Sequence, residues 1–219
     1  MFDVLRNDSP TWFERYRPTT LDQCVLTVRI RSQLDTIIRK RAIPNLLAIG
    51  PPGVGKTATM KCVLETLSRD FGYQMIRASD QHSPISLRDA LSMTAGRVLF
   101  NERMVLFIDE LDELVPKHQK SIRPAIDAAL NSWSYVATAN VASKIDPALK
   151  SRFRVMDFSP PLSFSQKLDP YATEVTDRIS FILRAEGKVF DRSDVEQHVQ
   201  DFGTNIRDCI NELQAQYDC

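Results

Sequence analysis

What this chain has little of narrows the possibilities before any motif is considered. No apolar run approaches the ~18 residues that a membrane-spanning helix needs, so no membrane partner is expected. Cysteine is sparse. Cys24, Cys62, Cys209 and Cys219 form no C-x-x-C pair, and His82, His118 and His198 lie near none of them. That pattern argues against a zinc site and a disulfide framework, and it fits four reduced thiols in a cytosolic protein. The opening stretch from Met1 to Asp8 is mixed and acidic, which is not the makeup of a secretory signal. Net charge is lacking too, since 28 basic residues balance 28 acidic ones. The balance is uneven along the chain: residues 1–160 hold 22 Lys and Arg against 17 Asp and Glu, and residues 161–219 hold 6 against 11. Any polyanion is therefore expected to meet the first part.

Glycine is scarce as well, at seven residues, yet Gly50, Gly53 and Gly55 crowd into one short stretch. Gly50-Pro51-Pro52-Gly53-Val54-Gly55-Lys56-Thr57 fits G-x-x-x-x-G-K-[ST], a phosphate-binding loop, and Ala58 follows it. Before it, 46–49 reads as a buried strand. After it, Met60, Val63, Leu64 and Leu67 fall at helical spacing. Glycines let backbone N–H groups turn inward around phosphate oxygens, and the helix N-terminus adds partial positive charge. In such a loop Lys56 reaches the β- and γ-phosphates, and the Thr57 hydroxyl ligates Mg²⁺.

Five short apolar runs, 46–49, 73–78, 104–108, 135–139 and 155–158, read as strands. Most are continuous rather than alternating, as in a parallel sheet covered on both faces. Helical patterns at 29–41, 86–96 and 121–133 separate them, and the alternation predicts a doubly wound α/β fold. Pro124 falls inside the last pattern; a helix start near Ile122 or Arg123 would accommodate it. Ser159-Pro160-Pro161-Leu162-Ser163 marks a boundary. The reading is thus an α/β domain over 1–160 and a small three-helix domain over 161–219, with helices at 173–185, 193–201 and 205–216.

Two strand ends carry chemistry. The run Val105-Leu106-Phe107-Ile108-Asp109-Glu110-Leu111-Asp112 ends in acids, and carboxylates at a strand's C-terminal end point into the ligand crevice of an open α/β sheet. Asp109 is placed to hold Mg²⁺ and Glu110 to polarise an attacking water. The strand Tyr135-Val136-Ala137-Thr138-Ala139 ends in Asn140, which is placed to orient that water or touch the γ-phosphate.

Together these motifs resemble the AAA+ ATPases, and within them the sliding-clamp-loader subunits of the replication factor C type and its phage counterparts. Glu14-Arg15-Tyr16-Arg17-Pro18 with Thr20-Leu21-Asp22 resembles the family's E-[KR]-Y-R-P…L-D opening, which lies against adenine. Ala78-Ser79-Asp80, Asp109-Glu110-Leu111-Asp112, Thr138-Ala139-Asn140, Ser151-Arg152-Phe153 and Gly203-Thr204-Asn205-Ile206-Arg207 resemble N-A-S-D, D-E-x-D, sensor 1, S-R-C and sensor 2. The resemblance implies a P-loop module with a five-stranded parallel sheet and a helical lid. It implies ATP and Mg²⁺ as ligands, and a nucleotide site drawn from Arg15, Tyr16, Pro18 and residues 50–58. Asn140 would sense the γ-phosphate, Arg207 would reach the nucleotide of its own subunit, and Arg152 would be an arginine finger for a neighbour's. The implied function is clamp loading onto primer–template DNA. The implied partners are other loader subunits, the clamp and the DNA backbone, without sequence specificity. The location would be the cytoplasm, the host's cytoplasm for a virus, or the nucleus of a eukaryote. Lys117, Gln119, Lys120 and Arg123 fall in the region that the resemblance turns toward DNA.

The chain departs from the family in three ways. Arg77 stands where the family often has Asn, Phe153 replaces the Cys of S-R-C, and a collar domain after the lid is expected to be absent from these 219 residues. Two alternatives stay open: a nucleotide-gated scaffold that turns over little, and another AAA+ loader such as a helicase loader.

Overall fold

The computed structural model describes residues 9–70, 72–78, 104–128, 133–161, 169–202 and 205–218. The helix expected at 86–96, Ser79 and Asp80, Ser163, and Gly203 with Thr204 lie outside the described residues.

Contacts divide the chain into two compact units, one of Gln33–Gly50 and Val63–Asp157, the other of Met1–Ser32, Pro51–Cys62 and Phe158–Cys219. The first holds a five-stranded sheet: β1 (Leu46–Ile49), β2 (Gly72–Arg77), β3 (Met104–Asp109), β4 (Trp133–Ala139) and β5 (Arg154–Asp157). Their order is β2-β3-β4-β1-β5 and every pairing is parallel, as the continuous apolar runs predict. Register aligns the strand ends. Ile49 lies opposite Ala139 and Asp157, and Arg77 lies opposite Asp109. The residues that follow β1, β3 and β4 therefore leave the sheet at one edge, where open α/β sheets bind ligands.

The helices, in chain order, are α1 (Trp12–Arg15), α2 (Val28–Lys40), α3 (Lys56–Thr66), α4 (Pro116–Ala128), α5 (Pro147–Lys150), α6 (Pro170–Ala185), α7 (Arg192–Phe202) and α8 (Ile206–Tyr217). One face of β3 and β4 (Met104, Leu106, Ile108, Trp133, Tyr135, Ala137 and Ala139) packs with Ile122 and Ile126 of α4. The other face is buried as well, through Val105, Phe107 and Val136. Each such large side chain contributes about 1.5–3 kcal/mol when removed from water.

Two sequence expectations are corrected here. The helix read at 121–133 begins at Pro116, with proline in its first position, and Trp133 opens β4 instead of closing the helix. Pro124 sits inside α4, so the helix carries it rather than starting after it. An interior proline costs ~3 kcal/mol. The apolar face of Ile122 and Ile126 offsets this, because those residues reach the sheet only if the helix is continuous.

In the second unit, α6, α7 and α8 bury Val175, Ile179, Ile182, Val195, Val199, Cys209, Ile210 and Leu213 with Trp12 and Tyr16 of the opening segment. The Trp12 N–H donates to Gln214 Oε1 at 2.7 Å, and Gln214 Nε2 donates to the Pro10 carbonyl at 2.9 Å. Asp169 caps α6 by accepting from Tyr171 N–H at 2.8 Å, with Pro170 at the first helical position. Burial pushes the Cys209 thiol up to about 12. Iodoacetamide at pH 8 is accordingly expected to leave Cys209 unmodified in the native protein and to label it after denaturation, as peptide mass spectrometry would show.

Candidate active site

The loop from Gly50 to Gly55 joins the end of β1 to the start of α3. Gly50 N–H donates to the Ala139 carbonyl at 3.3 Å and ends the ladder between β1 and β4. Within the second unit, Gly53 and Gly55 adopt φ of +79° and +86°, which only glycine takes without strain. A Cβ on Gly55 would meet nothing closer than Thr59 Oγ1 at 4.0 Å, so the backbone there is open on the Cβ side. A Cβ on Gly53 would fall 1.5 Å from Asn205 Oδ1. Val54 and Lys56 are buried, Thr57 and Ala58 are half-buried, and Pro51 and Pro52 are exposed. The Lys56 ammonium is folded back onto the loop, donating to the Pro51 carbonyl at 2.7 Å.

In the sheet unit, Asp109 closes β3 at 3% exposure. Glu110 follows at φ 61°, ψ 45°, a left-handed conformation that costs a non-glycine residue of order 1–3 kcal/mol. Its backbone is held on both sides. Glu110 N–H donates to Thr138 Oγ1 at 2.9 Å, and the Glu110 carbonyl accepts from Glu113 N–H at 2.9 Å. The Thr138 hydroxyl donates to Asp109 Oδ1 at 2.6 Å. Asp112, buried at 4%, accepts from Asn140 N–H at 3.1 Å and Val141 N–H at 2.9 Å, so the turn carrying Asn140 is fixed by the acidic motif itself. The structure thus brings Asp109, Glu110 and Asn140 together through Thr138 and Asp112. Sequence reading assigned no role to either of these two. The available signal was a threonine between two alanines at an apolar strand end, and an acid at the fourth motif position.

The opening segment meets the rest of its unit at several points. Arg15 donates to both oxygens of Glu186 at 2.8 and 2.9 Å, and the Tyr16 hydroxyl donates to Glu186 Oε1 at 2.5 Å. The bonds from Arg15 to Glu186 raise the Arg15 guanidinium above its ordinary value. The Pro18 carbonyl accepts from Cys62 Sγ of α3 at 3.4 Å, and Cys24 Sγ lies 3.9 Å from Cys62 Sγ. Arg207, exposed on the first turn of α8, stacks its guanidinium 4.5 Å from the Phe13 ring centroid. Asn205 caps α8 by accepting from Asp208 N–H at 3.3 Å. Within this unit, therefore, the phosphate-loop motif, the opening motif and the start of the Arg207 helix are neighbours.

Arg152 is engaged elsewhere. Its guanidinium donates to both Asp127 oxygens at 2.7 Å and to the Ala148 carbonyl at 2.5 Å. These hydrogen bonds hold the Asp127 carboxyl below its ordinary value and raise the arginine. On α4, Lys117 and Lys120 are exposed, whereas Gln119 is not available to a nucleic acid. It is buried at 1%, donates to the Leu114 and Lys144 carbonyls at 2.9 Å, and accepts from Asp146 N–H at 2.7 Å. Satisfying the backbone of three segments requires that amide inside the fold.

The residues present fit a phosphate and a hard cation. The loop offers the left-handed Gly53 and Gly55, the N-terminus of α3 and the ammonium of buried Lys56. Thr57, in the unit of the loop, and Asp109, at the end of β3 in the sheet unit, are each an oxygen donor of the kind Mg²⁺ takes.

The family model described as "ATPase family associated with various cellular activities (AAA)" matches residues 46–160. The replication factor C small subunit of Methanosphaera stadtmanae is 27% identical over 93% of this chain and 62% of its own length. Replication factor C subunit 5 of Homo sapiens is 34% identical over 68% of this chain and 46% of its own length. The chain thus spans about three fifths or less of the curated relatives it matches. Among solved structures, the Thermotoga maritima RuvB Holliday junction branch migration motor superposes with a TM-score of 0.69 at 18% identity, over 89% of this chain and 63% of that one, a likeness of fold.

Proposed function

This chain belongs to the ATPase family associated with various cellular activities (AAA), and on that premise we propose that it binds and hydrolyses ATP as one subunit of a sliding-clamp loader. The observation that carries the reading is the loop between β1 and α3, with left-handed Gly53 and Gly55 and the buried Lys56 ammonium. On binding, Lys56 exchanges the Pro51 carbonyl for β- and γ-phosphate oxygens, and backbone N–H groups of the loop take the others. Thr57 and Asp109 would hold Mg²⁺, which would supply neutralisation of the phosphate charge. Glu110 accepts the proton of the attacking water, and Asn140 orients that water. Arg207 reaches the nucleotide of its own subunit. Arg15, Tyr16 and Pro18 belong to the segment against adenine. The domains are the α/β ATPase part over 1–160 and the helical lid over 161–219.

Arg152 is the proposed finger for a neighbouring subunit's nucleotide, a role worth ~10³–10⁵ in rate where such fingers act. It must first leave Asp127. Partners are further loader subunits, the clamp, and the backbone of primer–template DNA against Lys117, Lys120 and Arg123. Contacts of that kind give affinity without sequence readout. The names of the relatives and the excess of basic residues in 1–160 support this choice of partners.

The test is phosphate release by the purified chain with candidate loader subunits, clamp and primed DNA. Turnover is expected to rise when all are present, to lose that rise in Arg152→Ala, and to gain about two- to five-fold in Asp127→Asn, since an exposed ion pair holds only weakly. Turnover indifferent to clamp, DNA and Arg152 would remove the loader assignment. The bidentate Asp127 pair favours one second reading, a nucleotide-gated scaffold with little turnover. That reading gains if ATP changes partner affinity while no combination of subunits hydrolyses it.

A further inference from the structure

We propose that Thr138 is a positioning residue for the acidic pair: its single hydroxyl sets the Asp109 carboxylate and the Glu110 backbone at once. A hydroxyl has one proton to give and lone pairs to accept. The two bonds use these in the only consistent direction. The Glu110 N–H can only donate, so it gives to Thr138 Oγ1 at 2.9 Å, and the Thr138 proton then goes to Asp109 Oδ1 at 2.6 Å. Hydrogen bonds chained in one direction polarise and strengthen one another.

The placement follows from the sheet. Ile108 of β3 lies opposite Ala137 of β4, so Asp109 and Thr138 are the next pair along and point to the same side. Thr138 is 1% exposed and stands between Ala137 and Ala139, both buried. Valine has the same shape and would satisfy the packing of an apolar strand end. Only the hydroxyl distinguishes the residue present, and both of its bonds go to the two acidic residues. Glu110 adopts a left-handed backbone, one of two non-glycine residues with positive φ among those described. Holding its N–H fixes the peptide plane between Asp109 and Glu110, and so the direction in which each side chain leaves.

The inference rests on the proposed roles of Asp109 toward Mg²⁺ and of Glu110 toward water. Thr138→Val removes both bonds at constant shape, and Thr138→Ser keeps the hydroxyl. Outer partners of metal-side ligands typically govern 10–100-fold in affinity or activity. Two readouts are made on the full chain with whatever partners support turnover. One is turnover as a function of Mg²⁺ concentration. The other is binding of a fluorescent ATP analogue with and without Mg²⁺. Thr138→Val is expected to lower kcat 10–100-fold and raise the Mg²⁺ concentration for half-maximal turnover. It should also shrink the gain in nucleotide affinity that Mg²⁺ confers, with affinity in the absence of Mg²⁺ unchanged. Thr138→Ser is expected to restore all three. Thr138→Ala serves as a second hydroxyl-free variant should the valine fail to fold.

A wild-type Mg²⁺ dependence that Thr138→Val or Thr138→Ala leaves intact overturns the proposal while the ATPase reading stands. Equal impairment of the serine and valine variants overturns it in favour of a packing role. A wild type whose nucleotide affinity and turnover ignore Mg²⁺ overturns the reading of Asp109, and this inference with it.

Discussion

Glu110→Gln is expected to bind ATP as the wild type does and to turn it over about 10²–10⁴-fold more slowly, the range that a general base supplies. The substitution keeps the size of the side chain and disturbs neither backbone bond of the left-handed turn, because Thr138 Oγ1 and Glu113 N–H engage main-chain atoms. What it removes is the basicity of a half-buried carboxylate. Single-turnover hydrolysis with enzyme in excess separates the chemical step from subunit exchange, and a filter-binding assay on the same preparation reports affinity. Wild-type turnover in the variant would take the base role from Glu110. A joint loss of binding would show that the turn, not the proton transfer, had been damaged.

Lys56→Ala has the second large effect, and it falls on binding. Lys56 is 6% exposed, and its ammonium already rests on the phosphate loop through the Pro51 carbonyl. Truncating one partner of a buried charge pair costs about 2–5 kcal/mol, or ~30- to 5,000-fold in affinity. Hydrolysis should vanish in proportion. The fold should survive, because the glycine conformations and the Val54 packing do not depend on the lysine side chain. Calorimetric titration with Mg·ATP and a thermal melt check both halves of that statement. Unchanged affinity at an unchanged melting temperature would mean that the nucleotide sits elsewhere.

The parts of the fold legible in the sequence are those that local pattern alone dictates. A parallel sheet buried on both faces leaves continuous apolar runs, and all five runs became strands of one sheet. What escaped reading depends on partners distant in the chain. Proline at 124 looked like a boundary because its ~3 kcal/mol penalty is local, while the sheet face that offsets it is supplied by β3 and β4. The start of α6 was read too late, although Asp169-Pro170 is a cap followed by a first-turn proline, the same device that opens α5 at Asp146-Pro147. At the site, the glycine loop and the acids were legible because each motif carries its own geometry. Thr138 and Asp112 were not, since a hydroxyl or carboxylate that serves backbone N–H groups leaves no spacing signature. Gln119 passed for a solvent-facing neighbour of lysines, and only the surrounding backbone reveals that its amide is needed inside.

A structure determined with Mg²⁺ and a non-hydrolysable ATP analogue decides where the nucleotide binds. The triphosphate is expected on the backbone of residues 50–57, with Lys56 Nζ moved from the Pro51 carbonyl to a phosphate oxygen and the metal bound by Thr57 Oγ1. A saturated complex in which Lys56 still rests on Pro51, with the nucleotide bound at another place, would contradict this placement.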